Sequence, residues 1–215
     1  MSDVKTALPT DTWVKATWEE YLWQVEQPNY ENAKGYYLDG WMRTEMLPVG
    51  FDHSRDHGTL ALGVALFCIL RGIPLTILDN CSFRKVGKRE FQPDLSYYIG
   101  DRARLIPTGT NIVNLDRYPP PDLAIEIGKT TIVDDRTTKR TLYEEAGVKE
   151  YWAVDVENLS IYAFEMIDRG SRRIDRSQLL PGLAMSSLEE ALQQSRSVDQ
   201  SQVGAWLMQQ FQPLP

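Results

Sequence analysis

With 215 residues, 42% hydrophobic and 25% charged, the chain has the composition of a globular protein with a substantial core, which excludes wholesale disorder. A formal net charge of −7 excludes a general nucleic-acid coat protein, whose affinity comes from a basic surface, but leaves room for a nuclease whose acids hold a cation. Cys68 and Cys81 form no CxxC or Cys/His ligand spacing, so a zinc site is excluded as well.

Thr12 to Val25 reads as a helix, with Trp13, Ala16, Tyr21 and Trp23 among its apolar residues. Asp39-Gly40 favours the tight turn of a hairpin whose first strand holds Tyr36 to Leu38 and whose second runs through Met46. From His57, the residues Leu60, Val64, Phe67, Cys68 and Leu70 keep helical spacing until Gly72 and Pro74 close the element. Strands follow at Leu75 to Leu78, Ser82 to Val86 and Phe91 to Ile99, then a loop from Gly100 to Tyr118 rich in Gly, Pro, Asn and Asp. The chain continues with a strand over Asp122 to Ile127, a helix between Asp134 and Ala146, and two more strands. The tail segments LPGLAMSSLEEAL and VGAWLMQQF suit amphipathic helices. These pack on the same chain's core or, through Trp206 and Phe211, on a second copy as a homodimer. No apolar run approaches the ~18 to 20 residues of a membrane span, and the polar N-terminus is not signal-like, so a soluble, cytoplasmic protein without membrane association is expected. No repeat or linker divides the chain. A single α/β domain over residues 1–215 is expected, with its core at about 35–165 and a C-terminal helical extension at about 180–215.

Ionisable residues stand where packing alone prefers apolar ones. Glu126 lies inside an apolar run, and a carboxylate buried there is costly unless it is paired or coordinated. Side chains alternate along a strand, so Asp122, Ala124 and Glu126 share one face while Leu123, Ile125 and Ile127 form a core face. Asp122 and Glu126 are roughly 13 Å apart at about 3.3 Å per residue, too far to share one ion. Asp94 belongs to another strand, on a face with Ser96 and Tyr98. If the two strands are antiparallel neighbours, their register places Asp94 beside Glu126.

A lysine completes the constellation. Leu142, Tyr143 and Ala146 lie three, four and seven positions after Lys139, so Lys139 shares their inward stripe. Asp134 or Asp135 serves as N-cap and Gly147 as stop. Lys129 is also close in sequence to Glu126, but faces the other side of a regular strand unless Gly128 forms a bulge. Two acids and a lysine at one core edge suit metal-dependent phosphodiester hydrolysis. The bland alternative is a lysine whose stem packs on apolar surface while its charge reaches water.

Other charged residues carry less. His53 and His57 read as loop and cap residues. Glu45 reads as a strand-surface glutamate that could add a ligand. Three basic groups, Arg84-Lys85-Lys88-Arg89, Arg136-Lys139-Arg140 and Arg169-Arg172-Arg173-Arg176, read mainly as solvated charges, with phosphate contact as the alternative.

Taken together, Pro93-Asp94, Pro121 to Glu126, Lys139, Tyr143 and the run from Ala146-Gly147-Val148 through Glu150-Tyr151-Trp152 to Asp155 resemble the Uma-type family of restriction-endonuclease-like proteins in the PD-(D/E)XK nuclease superfamily. The Tyr37 to Gly40 hairpin, the helix opening at His57 and Leu180-Pro181-Gly182-Leu183 extend the resemblance over nearly the whole chain. The resemblance implies a restriction-endonuclease-like mixed β-sheet flanked by helices, DNA as substrate, and Asp94 and Glu126 as the motif acids. The chain departs from the superfamily pattern two residues after Glu126, where Gly128 replaces lysine; the family more often takes its lysine from the following helix, which points to Lys139.

With those acids, Mg²⁺ (or Mn²⁺) would be ligated by Asp94, Glu126 and the carbonyl of Ile127. Lys139, with Lys129 as the second candidate, would stabilise the developing charge or orient water. Two other readings remain beside this endonuclease: a catalytically inactive nuclease-fold protein that binds nucleic acid or protein, and a phosphodiesterase acting on small nucleotides.

Overall fold

A computed structural model describes residues 7–46, 50–168 and 170–212. Arg169, one of the basic candidates, lies outside the described residues. The elements in chain order are β1 (Val14–Lys15), α1 (Trp18–Val25), β2 (Lys34–Leu38), β3 (Trp41–Glu45), α2 (Phe51–Arg71), β4 (Leu75–Asp79), β5 (Ser82–Lys85), β6 (Arg89–Phe91), β7 (Leu95–Ile99), β8 (Ile112–Asn114) and β9 (Leu123–Gly128). Then come α3 (132–146), β10 (Glu150–Asp155), β11 (Ser160–Ile167), β12 (Gly170–Ile174), α4 (Met185–Gln194) and α5 (Gln200–Gln210).

The strands form two mixed sheets where the sequence suggested one. The central sheet has the order β12-β11-β10-β9-β7-β4, with β9 and β10 parallel. The other runs β1-β3-β2-β6-β5-β8. Burial on both faces explains why β9 and β10 read as nearly continuous apolar runs. On one face, Leu123, Ile125, Ile127, Trp152 and Val154 pack against Leu60, Val64 and Phe67 of α2, Leu188 and Leu192 of α4, and Val203 and Leu207 of α5. On the other, Ala124, Tyr151, Ala153 and Phe164 meet Tyr36, Phe83 and Phe91 of the second sheet and Leu142 and Tyr143 of α3. The functional candidates lie between this second face and the second sheet. No helix among the described residues is long and apolar enough to cross a membrane.

Several boundaries differ from those read in the sequence. The first helix starts at Trp18, because Thr17 and Glu20 form a capping box, and Val14–Lys15 pairs as a strand with β3. The hairpin's second strand ends at Glu45, one residue before Met46. Asp39 and Gly40, at φ 40° and 92°, supply the two left-handed residues its tight turn needs. The α2 helix begins at Phe51 and therefore includes His53, which moves this residue from a loop into the first helical turn. The segment from Phe91 to Ile99 is broken into β6 and β7, and the following loop contains β8. Three strands, not two, follow α3. Phe211 packs edge-on against Phe67 in its own chain, with ring centroids 5.2 Å apart, and Trp206 packs against the same core.

Candidate functional site

The β7–β9 register sets the position of the two acids. Leu95 pairs with Ile125, Ser96 with Ala124 and Tyr97 with Leu123 in antiparallel fashion. Continuing one position brings Asp94 opposite Glu126, and the Ile127 N–H donates to Asp94 Oδ2 at 2.7 Å. Both acids are buried, and both line a cavity of about 220 Å³ with Ile127, Gly128, Lys129, Lys34, Glu45, His53 and Lys139.

Helix α3 delivers Lys139 through a local irregularity. Residues Asp135–Lys139 form a π-helical turn between α-helical segments, a wider winding often found at functional sites. Neither Asp134 nor Asp135 caps the helix; Thr131 occupies the N-cap position without a side-chain capping bond. Asp135 instead turns inward, accepts from Thr131 Oγ1 at 2.8 Å, and lies 3.0 Å from Lys139 Nζ. The Lys139 ammonium also stands 2.9 Å from Glu45 and 3.5 Å from Glu126, and 4.3 Å from the centroid of the Tyr36 ring. A buried lysine facing the acidic groups of Glu45, Asp135 and Glu126 is held in place by charge and hydrogen bonding. Lys129 is exposed on the rim of the cavity. Asp122 is tied elsewhere, to Arg102, Lys149 and the Ile99 N–H.

Sequence reasoning missed Lys34 and Tyr36 of the β2–β3 hairpin and took Glu45 mainly for a strand-surface residue. Lys34 and Glu45 are directly paired at its open end, but Lys34 bridges to Asp94 whereas Glu45 bridges to Lys139. Two residues further along β2, and so on the same face, Tyr36 donates to Glu126 at 3.2 Å. Tyr143 of α3 donates to the other Glu126 oxygen. His53 Nε2 lies 3.3 Å from Asp94 Oδ1, and His57 Nε2 lies 3.0 Å from the Asp94 carbonyl. The i, i+4 spacing of the histidines was visible; the Asp94 carboxylate beside His53 and the Asp79 carboxylate 3.2 Å from His57 were not.

The environment splits the two acids electrostatically. Burial, opposed by Lys139 and reinforced by the charge of Asp94, pushes the Glu126 carboxyl up to about 8. Burial would also raise Asp94, but Lys34 and His53 outweigh it and hold that carboxyl well below the usual range. Burial works against the Lys139 charge; Glu126, Asp135 and Glu45 outweigh it and lift the ammonium well above its ordinary value.

Gly128 lies two residues after Glu126 on β9. A Cβ there would run into Asp135 Oδ2 and Thr131 Oγ1, so the space is already filled from α3. A side chain from β9 at this position therefore requires Asp135 and Thr131 to move. Gly128→Ala is expected to destabilise the chain by about 1–3 kcal/mol, as overpacking does, read as a lower midpoint in urea unfolding. An unchanged midpoint would mean that Asp135 moves aside freely.

The chemistry of the donor set decides whether a divalent cation fits. Two carboxylates line one water-accessible cavity together with Ile127, whose carbonyl would add a third hard oxygen donor, a set that suits Mg²⁺ or Mn²⁺ retaining several waters. No group of three or more His, Cys, Asp and Glu residues with metal-holding geometry occurs among the described residues. The residues fit an open oxygen site.

Comparison with known proteins gives a family match over residues 18–201, to the family described as "Uma2: Putative restriction endonuclease". No curated protein matches. Among solved structures, the chain is similar to the one titled a "putative nuclease belonging to DUF820" from Anabaena variabilis. The match has a TM-score of 0.54 at 18% identity and covers 89% of this chain and 99% of that one. At that identity the likeness shows the fold: a mixed α/β arrangement of the restriction-endonuclease-like type.

Proposed function

We propose, for a chain that belongs to the Uma2 family of restriction-endonuclease-like proteins, that it is a metal-dependent endonuclease hydrolysing phosphodiester bonds in DNA. The observation that carries this reading is the convergence of Asp94, Glu126 and Lys139 on one cavity, from two strands and a helix. Nucleases of this class generally use divalent metals.

Asp94, Glu126 and the Ile127 carbonyl would hold the cation. Bound there, it would supply charge neutralisation at the scissile phosphate and a lowered pKa for a ligated water. Lys34, His53 and the Ile127 N–H fix the orientation of Asp94 and keep it ionised. Tyr36 and Tyr143 do the corresponding work of orientation for Glu126. Glu45 and Asp135 keep Lys139 charged, so its ammonium is available to developing negative charge on the phosphoryl oxygens or to the attacking water. The chain as a single domain is supported by α4 and α5 packing into the same core as β9 and β10. A homodimer through the C-terminal helices would have to use exposed residues such as Val198 and Met208, since Phe211 faces inward.

The test is nicking of supercoiled plasmid DNA with Mg²⁺ or Mn²⁺, against an EDTA control. Metal-dependent nicking is expected; cleavage undiminished by EDTA would sink the metal role. One observation favours the inactive, nucleic-acid- or protein-binding reading: Asp94 already has Lys34, His53 and a backbone amide as partners. No cleavage with either metal would transfer the proposal to it.

The raised Glu126 value gives a pH signature. Below about 8 this carboxyl must release its proton before it can serve as a ligand, so metal affinity and proton release are linked. At subsaturating metal, the nicking rate is expected to rise about tenfold per pH unit up to that value and then level off. A flat profile between pH 6 and 8 would show that Glu126 is already ionised.

A further inference from the structure

Several of the other basic candidates are neutralised: Arg84 pairs with Glu90, Arg89 with Glu145 and Arg172 with Glu165, whereas Lys85, Lys88 and Arg176 are not gathered around a groove. Arg136, Arg140 and Arg173 differ. They border an open groove of about 620 Å³ whose other lining residues are Val133, Thr137, Tyr162 and Phe164, with no acid among them. None of the three has a carboxylate within ion-pair distance among the described residues. Each instead lies over an aromatic ring: Arg136 is 3.8 Å from the Tyr162 centroid, Arg140 5.0 Å from Phe164, and Arg173 4.6 Å from Tyr162.

Such contacts, together with the Arg173 donation to the Ile161 carbonyl at 2.8 Å, hold the guanidinium groups in place while no carboxylate answers their charge. Ring stacking orders an arginine without using it up as an ion-pair donor, so less side-chain freedom is lost when an anion binds. In a chain of net charge −7, three adjacent unneutralised cations on an aromatic floor call for an external polyanion. The position supplies the link to the site. Arg136 and Arg140 are on α3, three residues before and one after Lys139, and the helix turns Lys139 inward while Arg136 is exposed. One helix diameter, about 10–12 Å, spans about three nucleotide steps at 3.4 Å each.

We infer that the Arg136–Arg140–Arg173 groove over Tyr162 and Phe164 is a backbone-binding subsite that takes the phosphates of a DNA strand flanking the cleavage point. It rests on the nuclease reading for the identity of the strand, and on its own geometry for the site. The chemistry is phosphate contact by guanidinium, with bases able to stack on exposed guanidinium planes, so little sequence preference is expected.

The experiment measures binding of a fluorescein-labelled single-stranded DNA oligonucleotide by anisotropy in EDTA, across a salt series, with the full-length chain. The double variant Arg136→Gln/Arg173→Gln is expected to bind at least about tenfold more weakly, the cost of removing charge-assisted hydrogen bonds. Its slope of log affinity against log salt should become shallower by about 1.4, or about 0.7 for each single-strand phosphate that is no longer neutralised. Arg172→Gln, which leaves the groove intact, should bind as the wild type does. Should the double variant unfold, Arg136→Gln alone, on an exposed residue, should still reduce the slope by about 0.7. A folded variant with wild-type affinity and slope overturns the subsite, even where plasmid nicking by the wild type stands. Groove-dependent binding by a chain that cuts nothing keeps the subsite and defeats the nuclease reading. Absence of any DNA binding by the wild type overturns the subsite directly.

Discussion

Glu126→Gln is expected to reduce metal-dependent cleavage by at least about 10³-fold while leaving the chain no less stable than the wild type near neutral pH. Asp94→Asn is expected to lose comparable activity and to lose stability as well. The difference follows from which protonation state each site favours. The folded Glu126 value, about 8, lies above the ordinary glutamate value of 4.5, so the folded state retains a proton that the unfolded chain has released. Stability from this group is present at low pH and falls as pH rises from about 4.5 to about 8. A neutral glutamine avoids that loss. Asp94 has the opposite sign, because Lys34 and His53 depress its folded value. Its contribution is present above the ordinary aspartate range and is lost only in stronger acid. Asparagine leaves the buried Lys34 ammonium without its carboxylate, at a cost of about 3–5 kcal/mol. Thermal unfolding at pH 7, beside a cleavage assay, separates the two variants. Equal destabilisation by both would contradict the assigned protonation states.

Replacing Lys139 should have the other large effect. Lys139→Ala removes the cation shared by Glu45, Asp135 and Glu126, leaving the buried Asp135 without its ammonium partner and Glu45 with Arg43 alone. A stability loss of about 3–5 kcal/mol is expected, with cleavage down by about 10²–10³-fold. Lys139→Arg separates the two roles. Its fork can restore part of the ion pairing, but its reach and geometry differ from those of an ammonium, so stability should recover further than the rate does. Urea unfolding and initial cleavage rates test the pair. A Lys139→Ala variant that retains full activity would give the role to Lys129 at the rim or to Lys34 beside Asp94.

The parts of this site that follow local periodicity could be read from sequence. Alternation along Asp122 to Ile127 separates Glu126 from the apolar set of Leu123, Ile125 and Ile127, and those three enter the helix-facing core. The stripe of Lys139, Leu142 and Tyr143 places the lysine inward because these residues lie at the end of the π-helical turn and in the regular α-helix that follows it. Long-range pairing was not legible. Lys34 and Glu45 look like ordinary charged residues flanking a hairpin until the second sheet folds over the first and brings its open end to Asp94 and Lys139. His53 lacked a visible role because α2 starts at Phe51 without a side-chain cap, which left no polar signal for the helix start. The Thr17-to-Glu20 capping box was present in the sequence and marks the true start of α1. Gly128 carries information only in three dimensions, where the space beside it belongs to Asp135 and Thr131.

Mn²⁺ titration by calorimetry, run in parallel on the wild type, Asp94→Asn and Glu126→Gln, tests most directly whether these two carboxylates hold the working cation. One Mn²⁺ per wild-type chain is expected, with proton release near pH 7, and no binding at comparable concentrations by either variant. Wild-type affinity retained by either variant would contradict it.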